Sequence, residues 1–187
     1  MNEEFEGIQQ PIYHNLWLLW LTQLVTLVLI PFNGVVFALI GLAVSIVQLY
    51  AVYQMREVSD GMSRAWRWMI ASIALTFGGL VLTLLAIGSV LSVLLLLVTL
   101  AGVIGMLVAE FYLYAGLDDL ILPRGYDYPV GRIRWCFWLQ LIGSFASSLF
   151  SNLLSPWLGM LVQLVTMAVI LWLLWLYLQA VKAREGA

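Results

Sequence analysis

The chain has 187 residues, of which 64% are hydrophobic and 10% charged, and a mean hydropathy of +1.02. Soluble domains carry about 25% charged residues, so this composition excludes an ordinary soluble fold and leaves room for one helical membrane domain. A formal net charge of −2 argues against a nucleic-acid partner, and a lone cysteine excludes both an intrachain disulfide and a cysteine-rich metal site.

Charged residues fall in four clusters: Glu3, Glu4 and Glu6; Arg56 to Arg67; Glu110 to Arg134; and Lys182 to Glu185. A hydrocarbon core of about 30 Å needs roughly 20 helical residues. Each apolar stretch between clusters is about twice that long, so each is predicted to cross a bilayer and return.

Residues 1–12 form an acidic tail without Lys or Arg, which does not fit a cleavable signal peptide. The first hairpin is expected as helices near 13–30 and 34–54, broken at Pro31-Phe32-Asn33-Gly34. The second is expected near 65–87 and 90–115, turning at Gly88-Ser89. A break at Gly78-Gly79 would leave only about a dozen residues before it, too few to span. The third is expected near 133–153 and 157–181, broken at Ser155-Pro156, with a tail at 182–187.

The predicted fold is therefore an all-α integral membrane protein, six transmembrane helices arranged as three helical hairpins. Arg56, Arg64, Arg67, Arg124, Arg132, Arg134, Lys182 and Arg184 all fall on the side shared by the termini. The positive-inside rule makes that side cytoplasmic, and the plasma (inner) membrane the expected location. All eight Tyr and eight of the nine Trp map to the same half, with Trp157 at the far end. One-sided interfacial anchoring explains this bias, and so do far turns that sit shallowly or against another protein.

Each hairpin opens on tryptophans (Trp17 and Trp20, Trp66 and Trp68, Trp135 and Trp138) and closes on an apolar residue, Tyr and then charges. Internal triplication and simple interface rules both generate that pattern. Small residues recur every fourth position at Ala101, Gly105 and Ala109, and at Gly143, Ser147 and Ser151. That spacing puts each set on one helix face for close packing, within the monomer or in a dimer. Gly41 and Ser45 repeat it on a smaller scale.

Glu110 interrupts an apolar helix, and an intramembrane acid is a functional candidate; an interfacial acid paired with Arg or Tyr is the alternative. Asp118 and Asp119 are weak candidates for a hard cation such as Mg²⁺, since a full site needs further oxygen ligands. The default is a solvated acidic turn, with Leu120 to Leu122 lying along the interface. Arg64, Arg67, Arg132 and Arg134, beside Trp66, Trp68 and Trp135, suit lipid headgroup contacts. Gln23, Gln48, Gln140 and Gln163 lie on four different helices. With Glu110 they form a candidate polar path, or they hydrogen-bond helices together.

Catalytic parts are missing. His14 is the single histidine, placed before the first helix, and neither a nucleophile elbow nor a phosphate-cradling glycine loop is present. No cofactor and no enzymatic activity are expected. The expected role is that of an accessory or interaction subunit in the lipid bilayer, working by helix–helix and cytoplasmic-face association with a membrane partner or as a homo-oligomer. The alternative is a small oligomeric transporter or channel for a neutral or amphiphilic solute.

Overall fold

The structure is a computed structural model that describes residues 11–32, 35–85 and 89–186. Asn33, Gly34, Gly88 and the acidic residues Glu3, Glu4 and Glu6, expected as turn and tail, lie outside the described residues. Among the described residues the chain is all-helical, with no strand. Six long helices occur: α1 (Tyr13–Leu29), α2 (Val35–Met55), α3 (Asp60–Leu85), α4 (Ser89–Asp118), α6 (Trp135–Leu153) and α7 (Pro156–Glu185). A four-residue α5 (Ile121–Arg124) follows α4.

Local chemistry explains several of these bounds. Helix α3 begins at Asp60, about a turn ahead of expectation. Its Met62 N–H donates to Ser59 Oγ at 3.2 Å, and Asp60 puts a negative charge in the first turn. The helix then runs through Gly78-Gly79 unbroken, because each glycine costs only about 1 kcal/mol relative to alanine. His14 belongs to the first turn of α1 instead of preceding it. At the start of α7, Pro156 occupies a first-turn position and Ser155 Oγ accepts from Trp157 N–H. Gly125, at φ 64°, ends α5 with Tyr126 N–H donating to Ile121 C=O and Gly125 N–H to Leu122 C=O, a left-handed cap that favours glycine.

Each hairpin packs against itself, and the second helix of each hairpin touches the first helix of the next: α2 with α3, α4 with α6, α7 with α1. The six long helices thus close a circuit. One buried cluster takes residues from all six, including Leu16, Val52, Met62, Leu117, Cys136 and Leu178. It is lopsided, since most of its members lie near the charged ends of their helices. Away from that end Phe77, Leu96, Leu100, Phe145, Leu153 and Trp157 are exposed.

Two segments, Leu95–Arg124 and Pro156–Glu185, are long and apolar enough to cross a membrane by length and composition. Helix α1, with 17 residues, and α6, with 19, reach about 25 and 28 Å, a little under the hydrocarbon thickness. The first turns of α3 carry Asp60, Arg64 and Arg67.

Glycines set the closest approaches. A Cβ on Gly61 would meet Gly116 Cα at 2.5 Å, so α3 and α4 cross with backbones in contact. Higher up, Gly105 faces Ser72 and Trp68 and Gly102 faces Thr76, while Ala109 is buried. Ala101 is exposed; the contact stripe rotates to Gly102, correcting its expected place on that face. Between α6 and α7, Gly143 lies against Thr166, Ser147 Oγ donates to Gly159 C=O at 2.7 Å, and a Cβ on Gly159 would meet Ser151 Cβ at 2.7 Å. These small residues serve packing within the chain. Gly41, by contrast, has nothing within 4 Å of where a Cβ would stand.

Candidate functional site

At the charged end, one carboxylate ties together three distant parts of the chain. Glu185, in the last turn of α7, accepts from the Ile12 and Tyr13 N–H groups, each at 3.0 Å. It therefore satisfies N–H groups at the start of α1 that no residue of α1 caps. The same carboxylate accepts from Tyr126 Oη at 2.7 Å and pairs with Arg124 Nη1 at 3.1 Å.

Beside it, Asp118 is 2% exposed at its side chain, and its Oδ2 lies 2.7 Å from Arg134 Nε. Its Oδ1 accepts from Gly131 N–H at 2.6 Å. Arg134 Nη2 reaches Asp119 Oδ1 at 2.9 Å. The expected solvated acidic turn is thus corrected at Asp118, whose oxygens are taken up by Arg134 and the loop. Among the described residues no group of three potential ligands surrounds Asp118 and Asp119. Leu120 and Ile121 are buried, and of the apolar stretch expected along the interface only Leu122 is exposed. Arg132 sits about 6 Å from the Tyr128 and Trp172 ring centres, Arg64 lies over Tyr112, and Arg67 is exposed.

Four of the tyrosines that mark this end, Tyr114, Tyr126, Tyr128 and Tyr177, are buried. Tyr177 Oη donates to Leu117 C=O at 2.8 Å and Tyr128 Oη to Leu173 C=O at 3.3 Å. Tyr126 and Tyr128 meet Tyr177 edge-on. Composition marks tyrosine at the interface, and the fold of the 119–134 segment turns the Tyr126 and Tyr128 rings inward onto Tyr177. The one hint in the sequence is the pair Tyr126 and Tyr128 inside a Gly/Pro-bounded loop.

Burial pushes the Tyr128 phenol up to about 12, and burial with the Glu185 hydrogen bond raises Tyr126. A raised phenol favours the protonated folded state, so its contribution to stability is fully present below about pH 10 and is lost as pH rises through about 12. In an alkaline absorbance titration, Tyr128→Phe is expected to remove one late-titrating phenol. Loss of an early-titrating one would contradict the burial.

The candidate polar path shares one property. Gln23 continues the buried stripe Leu16–Leu19, Gln48 precedes Ala51, Val52 and Met55, and Glu110 precedes Leu113, Tyr114 and Leu117. Gln140 falls between Cys136 and Gly143, and Gln163 between Gly159 and Met167. Spacings of three and four keep each polar residue on the same face as those buried neighbours. From the charged end of its helix, Gln140 lies about 8 Å in, Gln48 about 10 Å, Glu110 about 12 Å and Gln23 about 15 Å. Gln163 lies apart, about 10 Å from the opposite end of α7.

All five are half-buried, and among the described residues none makes a hydrogen bond or ion pair through its side chain. Other polar groups behave differently. Thr22, Thr26, Ser45, Ser72, Thr76 and Thr166 donate to carbonyls three or four residues back, and Asn152 Nδ2 does so to Ser148 C=O.

No protein-family profile, curated protein or solved structure matches the chain.

Proposed function

We propose that this chain is a six-span membrane protein, three hairpins in a circuit with both ends at the cytoplasmic surface, and that it binds or conducts a small neutral or amphiphilic solute without catalysis. Support for the membrane setting comes from the exposed apolar side chains on the helices and from hydroxyls closed onto their own backbone. Such closure satisfies donors where no water reaches them. Helices a few ångströms short of the hydrocarbon thickness are accommodated by local thinning or flanking residues. The basic residues gathered at one end favour the cytoplasmic orientation.

One observation carries the solute proposal. Amides that merely hold helices together form interhelical hydrogen bonds, yet Gln23, Gln48 and Gln140 take none among the described residues while lying on the buried faces of three helices, about 8 to 15 Å from the charged end. Together with Glu110 they offer donors and acceptors to a guest. Met55, Met62 and Leu117, which lie nearer the charged ends of their helices, belong to the packed buried cluster.

The test is osmotic swelling of proteoliposomes with glycerol and larger polyols. Wild type is expected to exceed protein-free vesicles. The triple variant Gln23→Leu, Gln48→Leu, Gln140→Leu is expected to fall by tenfold or more, given about 1 kcal/mol per hydrogen bond. Permeability equal to empty vesicles from a folded wild-type protein would sink the proposal. Glu110→Gln is expected to remove any pH dependence of the flux.

A second function, association with a membrane partner, is favoured by the outward face of α2. There Leu39, Leu42 and Ile46 are exposed, with Gly41 and Ser45 on the same helix. A stoichiometric partner retained in mild detergent would support it.

A further inference from the structure

Outside the helical circuit, a groove of about 380 Å³ is lined by Gly131, Arg134, Trp135, Trp138 and Ile142. Its volume falls within the range of small-ligand sites. Trp135, Trp138 and Ile142 are spaced by three and four along α6, so they form one stripe, and all three are exposed. From Arg134 to Ile142 the stripe runs about 12 Å along the helix. A charged head at one end gives way to an apolar wall at the other.

The charges at the head are specific. Arg134 uses Nε and Nη2 on Asp118 and Asp119, which leaves Nη1 of a half-exposed guanidinium outside both ion pairs. Asp119 is 55% exposed and engages Arg134 through Oδ1. Two carboxylates against one guanidinium make this cluster negative by one charge, and Arg132 is turned to the Tyr128 and Trp172 rings. A singly anionic lipid would add to that negative charge. A zwitterionic headgroup matches both poles.

We propose that the groove binds a zwitterionic aminophospholipid, its phosphate on Arg134, its primary ammonium on Asp119 and the Trp135 face, and its chain along Trp138 and Ile142. Ammonium groups are attracted to carboxylate oxygens and to indole faces, and arginine to phosphate. This site rests on the six-span membrane proposal but not on the solute path.

The experiment is native mass spectrometry of the detergent-purified chain with equal amounts of phosphatidylethanolamine, phosphatidylcholine and phosphatidylglycerol. Wild type is expected to retain phosphatidylethanolamine preferentially. Asp119→Asn, at an exposed position, is expected to keep the melting temperature and reduce that preference about tenfold, the loss of one charge-assisted hydrogen bond. Trp138→Ala is expected to reduce retention of all three lipids. Equal or greater retention of phosphatidylglycerol by wild type, or an unchanged preference in Asp119→Asn, overturns the site. Alkaline carbonate extraction separates the two levels. A chain that stays in the membrane pellet but shows no preference fails only here, whereas a chain washed off the membrane fails as a six-span protein and takes the site with it.

Discussion

Replacing Glu185 by alanine is expected to destabilise the folded chain by about 3–5 kcal/mol, the cost of breaking a buried ion pair from one side. The Arg124 and Glu185 side chains are only 7% and 12% exposed, so solvent screening that makes surface pairs weak does not apply. Alanine would deprive the Arg124 guanidinium of its carboxylate, and would also leave the Ile12 and Tyr13 N–H groups and the Tyr126 hydroxyl without their acceptor. The location makes the loss larger than an end-of-chain substitution suggests. A negative charge in the last turn opposes the α7 dipole but complements that of α1, whose N-terminus it caps. Thermal unfolding in detergent checks this, and a melting temperature within a degree of wild type would refute the clamp. The paired variant Arg124→Met, Glu185→Leu is expected to recover much of the loss, because removing both charges avoids leaving one buried.

Gly61→Ala is expected to cost about 1–3 kcal/mol, in the range of overpacked sites, with Gly61→Leu worse. The added methyl would sit 2.5 Å from Gly116 Cα and 2.8 Å from Gly116 N, and these are backbone atoms that cannot rotate aside. Helices α3 and α4 would have to separate at their crossing. Met62 and Leu117, buried next to the two glycines, would lose contacts in turn. Gly41→Ala is the matched control. With open space around its Cβ, it is expected to stabilise by roughly 0.5–1 kcal/mol through helix propensity alone. Equal melting temperatures for Gly61→Ala and Gly41→Ala would show that the backbones of α3 and α4 do not touch at this crossing.

The helices are legible in the sequence because their signals are local. Ser155-Pro156 stops one helix and starts the next with a hydroxyl acceptor and a fixed φ, and an apolar run twice the bilayer thickness must turn somewhere. Helix ends are less legible. The first turn of α3 and the last turn of α7 are polar, so hydropathy cuts them off while capping and long-range bonds keep them helical. Gln23, Gln48, Glu110, Gln140 and Gln163 stand out as polar residues in apolar runs, but their common inward placement emerges only once the buried stripes are known. The partners of Asp118 and Glu185 escape a reading of the sequence for one reason: they lie 13 to 173 residues away along the chain, and no spacing rule reaches that far.

The sequence by itself determined the all-helical class, the three-hairpin division and the gathering of charge, Tyr and Trp at one end, since composition and period act within a turn or two of helix. Tertiary structure alone decided that the hairpins close a circuit and that Arg134 bridges both aspartates. It also decided that Gly61 meets Gly116 and that the last turn of α7 caps the first helix. Those depend on which faces meet, and meeting faces are set by the packing of the whole chain rather than by any stretch of it.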